Sequence, residues 1–177
     1  MGIGIAVVLA LAAVLVTWVL VQRGARDDPR PASPAAAADG PRVATAEGLS
    51  TLAALRRAPV YWAGQRAGVV FEVTENAAGH VYVRYLPSGT AVGDPRPDFL
   101  TVATYTRPNA FADVEAAAAR PGAVTIDLPG GLAVYDRSTP TSVYLAYRGT
   151  TGQIEVYAPE PGEARRLVES GRISPVP

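Results

Sequence analysis

The chain has 177 residues, a formal net charge of zero and 49% hydrophobic residues, with one histidine and no cysteine. This composition excludes disulfides, cysteine nucleophiles, cysteine-based metal sites and multi-histidine metal cages, and we expect neither a metal nor a cofactor. All 16 basic residues are arginines, which also excludes a P-loop lysine and a Schiff-base lysine. The zero net charge argues against a nucleic-acid partner.

An uncharged apolar run over residues 3–21 predicts a single transmembrane helix. A helix of that length spans roughly 28 Å, close to the ~30 Å hydrocarbon core of a bilayer. No basic residue precedes the run and no A-x-A-like site follows it, which favours an uncleaved signal-anchor. We therefore expect residues 1–22 to anchor a single-pass protein in the plasma membrane, with the lipid bilayer as the partner of residues 3–21.

Residues 23–45 are rich in proline and alanine and carry few large apolar side chains, which predicts a disordered linker. Arg23, Arg26 and Arg30 follow the apolar run, and the positive-inside rule then favours a cytoplasmic domain. The proline- and alanine-rich composition of the linker, in contrast, is typical of an exported stalk and favours the opposite orientation. We expect an extracytoplasmic domain, and the cytoplasmic orientation stays open as the alternative.

Residues 46–177 are long enough for one hydrophobic core and predict an α+β domain. Helical spacing or capping signals predict helices over residues 46–58, 109–120 and 162–170, with Asn109 as an N-cap and Gly171 as a C-terminal stop. Alternating or apolar runs between turn residues predict strands over residues 60–62, 69–74, 80–86, 99–106, 124–128, 132–136, 143–148 and 153–158.

A weak internal repeat favours a particular arrangement of these elements. Residues 80–85 (HVYVRY) are similar to residues 142–147 (SVYLAY), and residues 101–105 and 153–157 each precede a predicted helix. The repeat predicts a pseudo-duplicated strand-strand-helix unit, with antiparallel β-hairpins and two or three helices on one face of the sheet. Chance similarity is the alternative, because valine and tyrosine are common in strands.

Strand alternation within the repeat predicts one surface patch. With Val81, Val83 and Tyr85 facing the core, the side chains of Tyr82, Arg84 and Leu86 face outward. In the second copy, Tyr144, Ala146 and Arg148 face outward. Tyrosine and arginine are enriched at interfaces, so we predict a binding patch of Tyr82, Arg84, Tyr144 and Arg148. Solvated outer-face residues are the alternative. Tyr61, Trp62 and Phe71 are predicted core residues.

The candidates for catalysis are weak. His80 lies beside a turn without a recognisable nucleophile, so we expect a solvated histidine at a strand end. Two carboxylate pairs, Asp94 with Asp98 and Asp127 with Asp136, flank turns that their side chains also stabilise. The glycine pairs at residues 130–131 and 149–152 lack phosphate-loop spacing and predict hairpin turns.

We therefore expect a membrane-anchored, non-enzymatic, extracytoplasmic binding or accessory module of the cell envelope. Its partner would be another membrane protein or a cell-wall polymer. The alternatives are a carboxylate-dependent envelope hydrolase and a cytoplasmic-facing regulatory domain of a membrane complex.

Overall fold

A computed structural model describes residues 40–177. In chain order the elements are β1 (Arg42–Ala44), α1 (Ala46–Arg56), β2 (Tyr61–Trp62), β3 (Val69–Glu75), β4 (Val81–Pro87), β5 (Thr101–Thr106), α2 (Ala110–Ala118), β6 (Ala123–Leu128), β7 (Gly131–Asp136), β8 (Ser142–Tyr147), β9 (Gly152–Tyr157), α3 (Glu163–Glu169) and β10 (Ser174–Pro175). The predicted α+β class is confirmed. The predicted anchor at residues 3–21 lies outside the described residues, and no helix within residues 40–177 is long and apolar enough to span a membrane.

Eight strands form one antiparallel sheet in the order β1-β3-β4-β5-β9-β8-β7-β6, and β2 pairs separately with β10. The order is symmetrical about the central β5–β9 pair, and the two similar sequences occupy β4 and β8. Each half contains a hairpin (β3–β4 or β7–β8) that is followed by a central strand (β5 or β9) and a helix (α2 or α3). Strand β1 lies within the stretch predicted as linker, so the folded domain begins earlier than residue 46. A shared origin of the halves stays a prediction.

One face of this sheet, here called the closed face, carries the main core. Directly opposed residues on the four central strands form a row of buried valines, Val83, Val102, Val156 and Val143. Helix α1 covers the face through Leu49, and α3 covers it through Leu167 and Val168. Tyr61, Trp62 and Phe71 join the same core, as predicted.

The opposite face, here called the open face, is covered by α2 over β7 and β8. Ala110, Val114 and Ala117 of α2 pack on Val134 and Ala146 of the sheet. The prediction of two or three helices on one face holds for α1 and α3, which share the closed face, whereas α2 packs on the opposite face.

Two residues predicted to face outward are fully buried. Ala146 is covered by α2, and Leu86 lies on the side where the loop between β4 and β5 folds back over the sheet. Alternation gave the correct face for both residues, but their exposure also depends on the elements that cover that face, which for Ala146 is the sequence-distant helix α2.

Tyr85 links the sheet to the segment around β2. Its buried hydroxyl accepts a hydrogen bond from the Ala63 amide at 2.7 Å and donates one to the Gly64 carbonyl oxygen at 3.1 Å. Burial raises the pKa of Tyr85, and the Ala63 amide and the charges of Arg66 and Arg172 partly offset this effect. The resulting pKa is about 12. The phenol is thus neutral in the fold well above the pH at which a free tyrosine ionises.

We expect Tyr85→Phe to lower the free energy of unfolding at pH 7 by about 1–3 kcal/mol, because the buried Ala63 amide loses its acceptor. Because the folded pKa lies above the ordinary value of 10.0, the wild-type contribution is complete below pH 10 and is lost as the pH rises through about 12. The difference between wild type and variant in urea unfolding should therefore narrow between pH 10 and pH 12. A constant difference across that range would contradict the assignment.

Candidate functional site

A cleft of about 890 Å³ crosses the open face above the central strands. One wall is the loop between β4 and β5, with Pro95, Pro97 and Phe99. The other wall is the C-terminal end of α2, with Ala117 and Pro121. The cleft exists because each wall covers only one side of the sheet and leaves the middle uncovered.

Strand register sets the composition of the cleft floor. Tyr82, Ala103, Glu155 and Tyr144 stand directly opposite one another across β4, β5, β9 and β8. The small side chain of Ala103 separates Tyr82 from Glu155. The adjacent row is Arg84, Thr101, Tyr157 and Ser142.

Glu155 is the polar centre of the floor. Its carboxylate accepts hydrogen bonds from the hydroxyls of Tyr105 at 2.6 Å, Tyr144 at 2.9 Å and Ser142 at 3.0 Å. Hydroxyl donors of this kind stabilise a negative charge. None of the ion pairs between side chains of residues 40–177 includes Glu155.

The tyrosines around Glu155 are held in their neutral form. Burial raises the pKa of Tyr105, Tyr144 and Tyr82, and the negative charge of Glu155 raises each of them further. The rings of Tyr82 and Tyr105 meet edge to face, with centroids 6.0 Å apart. The floor is therefore a carboxylate surrounded by protonated phenols and aromatic edges.

A buried ion pair fixes the loop wall. Glu72 is 1% exposed and lies 2.6 Å from the Arg84 guanidinium. The other oxygen of Glu72 accepts the Gly93 amide at 2.5 Å, and Arg84 donates to the carbonyl oxygens of Asp94 and Arg96, both at 2.9 Å. Arg84 therefore holds the loop against the sheet.

Three of the four predicted patch residues, Tyr82, Arg84 and Tyr144, line the cleft. Arg148 does not line it: its guanidinium stacks over the Phe111 ring at 4.2 Å and lies 4.0 Å from Glu115. The structure thus brings together the first three residues and separates the fourth, because α2 packs between Arg148 and the cleft.

Sequence reasoning missed Glu155, Tyr105 and Tyr157. The proposed repeat aligned residues 101–105 with 153–157, so Tyr105 and Tyr157 were already paired there. Glu155 aligns with Ala103, and its proximity to the tyrosines depends on the pairing of β5 with β9. That long-range pairing is the information that the sequence pattern lacks.

The other weighed residues take roles in local structure. His80 is half-buried rather than solvated, and its ring lies edge to face with Tyr105 at 5.1 Å. Burial and the nearby positive charges of Arg107 and Arg56 lower the pKa of His80. The glycine pairs end up in hairpin turns, as predicted.

One member of each candidate carboxylate pair is engaged in a local contact. Arg96 hydrogen-bonds Asp94 and lowers the pKa of Asp94 to about 2, while Ser138 lowers the pKa of Asp136. Asp98 and Asp127 are exposed, and Asp127 lies on the edge strand β6. Within residues 40–177, no group of three metal-ligating side chains is placed to hold a metal ion.

Comparison of the chain with protein-family models, with curated proteins and with solved structures finds no match. Function is therefore inferred from the residues of the cleft and their contacts.

We expect Arg84→Met to lower the free energy of unfolding by about 3 kcal/mol, because it leaves the charge of Glu72 buried and unpaired. Hydrogen exchange of the Gly93 amide should also accelerate, since the loop loses its clamp. Arg96→Met is the matched control, because the Arg96–Asp94 pair is screened by solvent and contributes little to stability. Equal stability losses in the two variants would show that Arg84 does not hold the loop.

Proposed function

We propose that this protein is a non-enzymatic binding module of the cell envelope, whose cleft takes an extended, proline-containing segment of a partner membrane protein. The observation that carries the proposal is the cleft of about 890 Å³ above Tyr82, Tyr144 and Glu155. Ligand sites are concave and mostly apolar, carry a few placed polar groups and measure about 300–1,000 Å³.

The walls and floor favour a protein segment as the ligand. Proline side chains line both walls, Phe99 lies in the loop wall, and tyrosine rings line the floor. Aromatic-lined grooves bind polyproline II segments well, because such segments are already extended before they bind. A cell-wall glycan would need many unengaged hydrogen-bonding groups, whereas the hydroxyls of Tyr105 and Tyr144 already donate to Glu155.

The charge at the floor favours a cation beside the prolines of the ligand. A guanidinium or ammonium group above Glu155 would meet a carboxylate that is otherwise bonded to neutral hydroxyls. Tyrosine rings attract cations through the negative potential of their faces. A partner segment with an arginine or lysine next to its prolines is therefore the best fit.

The proposed location rests on residues 3–21 as a membrane anchor. An anchored module and a partner in the same bilayer meet at a raised effective concentration, so modest affinity suffices. We place the domain outside the cytoplasm, next to the envelope partner. A cytoplasmic regulatory domain is the alternative that Arg23, Arg26 and Arg30 support.

Filling the cleft should abolish binding. Thr101 lies on the cleft floor, and Thr106 is exposed at the end of the same strand. With the full chain in detergent micelles and a fluorescent proline-rich peptide that contains one arginine, we expect Thr101→Trp to weaken binding at least tenfold. Thr106→Trp should bind like wild type. Equal binding by the two variants would remove the cleft as the site, and binding of purified glycan strands instead of the peptide would favour the cell-wall polymer.

Labelling of a single cysteine tests the proposed location. Ser88 is exposed in the turn after β4, and the chain has no native cysteine to give background. We expect Ser88→Cys to react with a membrane-impermeant maleimide on intact cells. Labelling that appears only after lysis would place the domain in the cytoplasm and would contradict the envelope role.

A further inference from the structure

We infer that residues 30–34 of the same chain, Arg-Pro-Ala-Ser-Pro, bind in the cleft and compete with the partner segment. This inference rests on the proposed function, because it assigns an internal occupant to the same site. The domain would then be a binding module whose cleft is occupied by residues 30–34 until a partner segment displaces them.

The inference is supported first by the position of Pro41, the residue that connects the linker to β1. Pro41, the residue before β1, lines the cleft beside Gly93 of the loop wall. The residues that precede Pro41 therefore start at the rim of the cleft.

The linker is also long enough to cross the sheet from β1 to β8. Ser33 precedes Pro41 by eight residues, which in a polyproline II conformation cover about 25 Å. From β1 to β8 the sheet has five strand spacings, or about 24 Å. An extended linker that crosses the face thus brings Ser33 above Ser142, and Pro31 and Pro34 above the neighbouring tyrosines.

Residues 30–34 are also chemically complementary to the cleft. The segment has prolines at residues 31 and 34, with the spacing that aromatic grooves recognise in polyproline II ligands. Arg30 supplies one positive charge next to them. The far half of the cleft carries the carboxylates of Glu155 and Asp136, and neither belongs to an ion pair among the side chains of residues 40–177.

Tethering makes weak intrinsic affinity sufficient. A short flexible connection gives an effective concentration on the order of 1 mM. With an intrinsic Kd of about 0.1 mM, the tethered segment would occupy the cleft about nine-tenths of the time and weaken binding of a free competitor roughly tenfold.

Disulfide trapping in the otherwise cysteine-free chain tests the placement. In the full chain in detergent micelles, we expect Ser33→Cys with Ser142→Cys to form an intramolecular disulfide at least tenfold faster than Ser33→Cys with Thr106→Cys. Thr106 is more exposed than Ser142 and lies on a strand nearer to β1, but its side chain is on the closed face, so a preference for Ser142 would place Ser33 over the open face. Equal rates overturn the inference, and so does a predominant cross-link between two chains.

A peptide titration separates failure of this inference from failure of the proposed function. The probe is a labelled peptide of residues 26–36, and the variant is Arg30→Ser with Pro31→Ala and Pro34→Ala. We expect the variant to bind the peptide about tenfold more tightly than wild type, and Thr101→Trp in the variant should abolish that binding. Equal binding by wild type and variant overturns the internal occupant alone. Binding by neither overturns both the internal occupant and the proposed ligand class.

Discussion

The pairing of β5 with β9 is the constraint on which the other features of the domain depend. It joins two hairpin units into one sheet and fixes their register, so that Val102 stands opposite Val156 and Ala103 stands opposite Glu155. Because side chains alternate along a strand, that single register puts one apolar row on the closed face and one polar row on the open face. A shift of one residue would bury Glu155 in the main core and expose the valines.

The cleft follows from incomplete coverage of the open face. Helix α2 packs over β7 and β8, while the loop between β4 and β5 is tied to β3 and β4 by Glu72 and Arg84. Neither element reaches the middle of an eight-stranded sheet. On the closed face, α1, α3 and the β2–β10 pair all pack against the sheet. The two faces of one sheet therefore carry different functions: one is the core, and the other is the candidate site.

Local sequence pattern predicted the three helices, strands β2 to β9 and part of the site, but neither β1 nor β10. Alternation correctly assigned Tyr82, Arg84 and Tyr144 to one face, since the period of a strand is a local property. It did not predict the burial of Leu86 and Ala146, because exposure also depends on covering elements, and for Ala146 that element is α2, which is distant in sequence. Glu155 could not be recognised for a related reason: nothing near it in sequence indicates that β5 brings Tyr105 to its carboxylate. The repeat did not indicate that α2 and α3, the helices that follow the two central strands, pack on opposite faces of the sheet.

Two carboxylates on the open face, Glu72 and Glu155, differ in their bonding partners. The partners of Glu72 stabilise the fold, whereas those of Glu155 leave its charge available to a ligand. Glu72 is 1% exposed and is satisfied by a guanidinium and a backbone amide, as a buried charge must be if the fold is to be stable. Glu155 lies in an accessible cleft and is bonded to neutral hydroxyls. Those hydroxyls hold the carboxylate in place without cancelling its charge. A cationic group that enters the cleft thus meets an oriented carboxylate whose supporting tyrosines are already ordered, and this preorganisation lowers the entropic cost of binding.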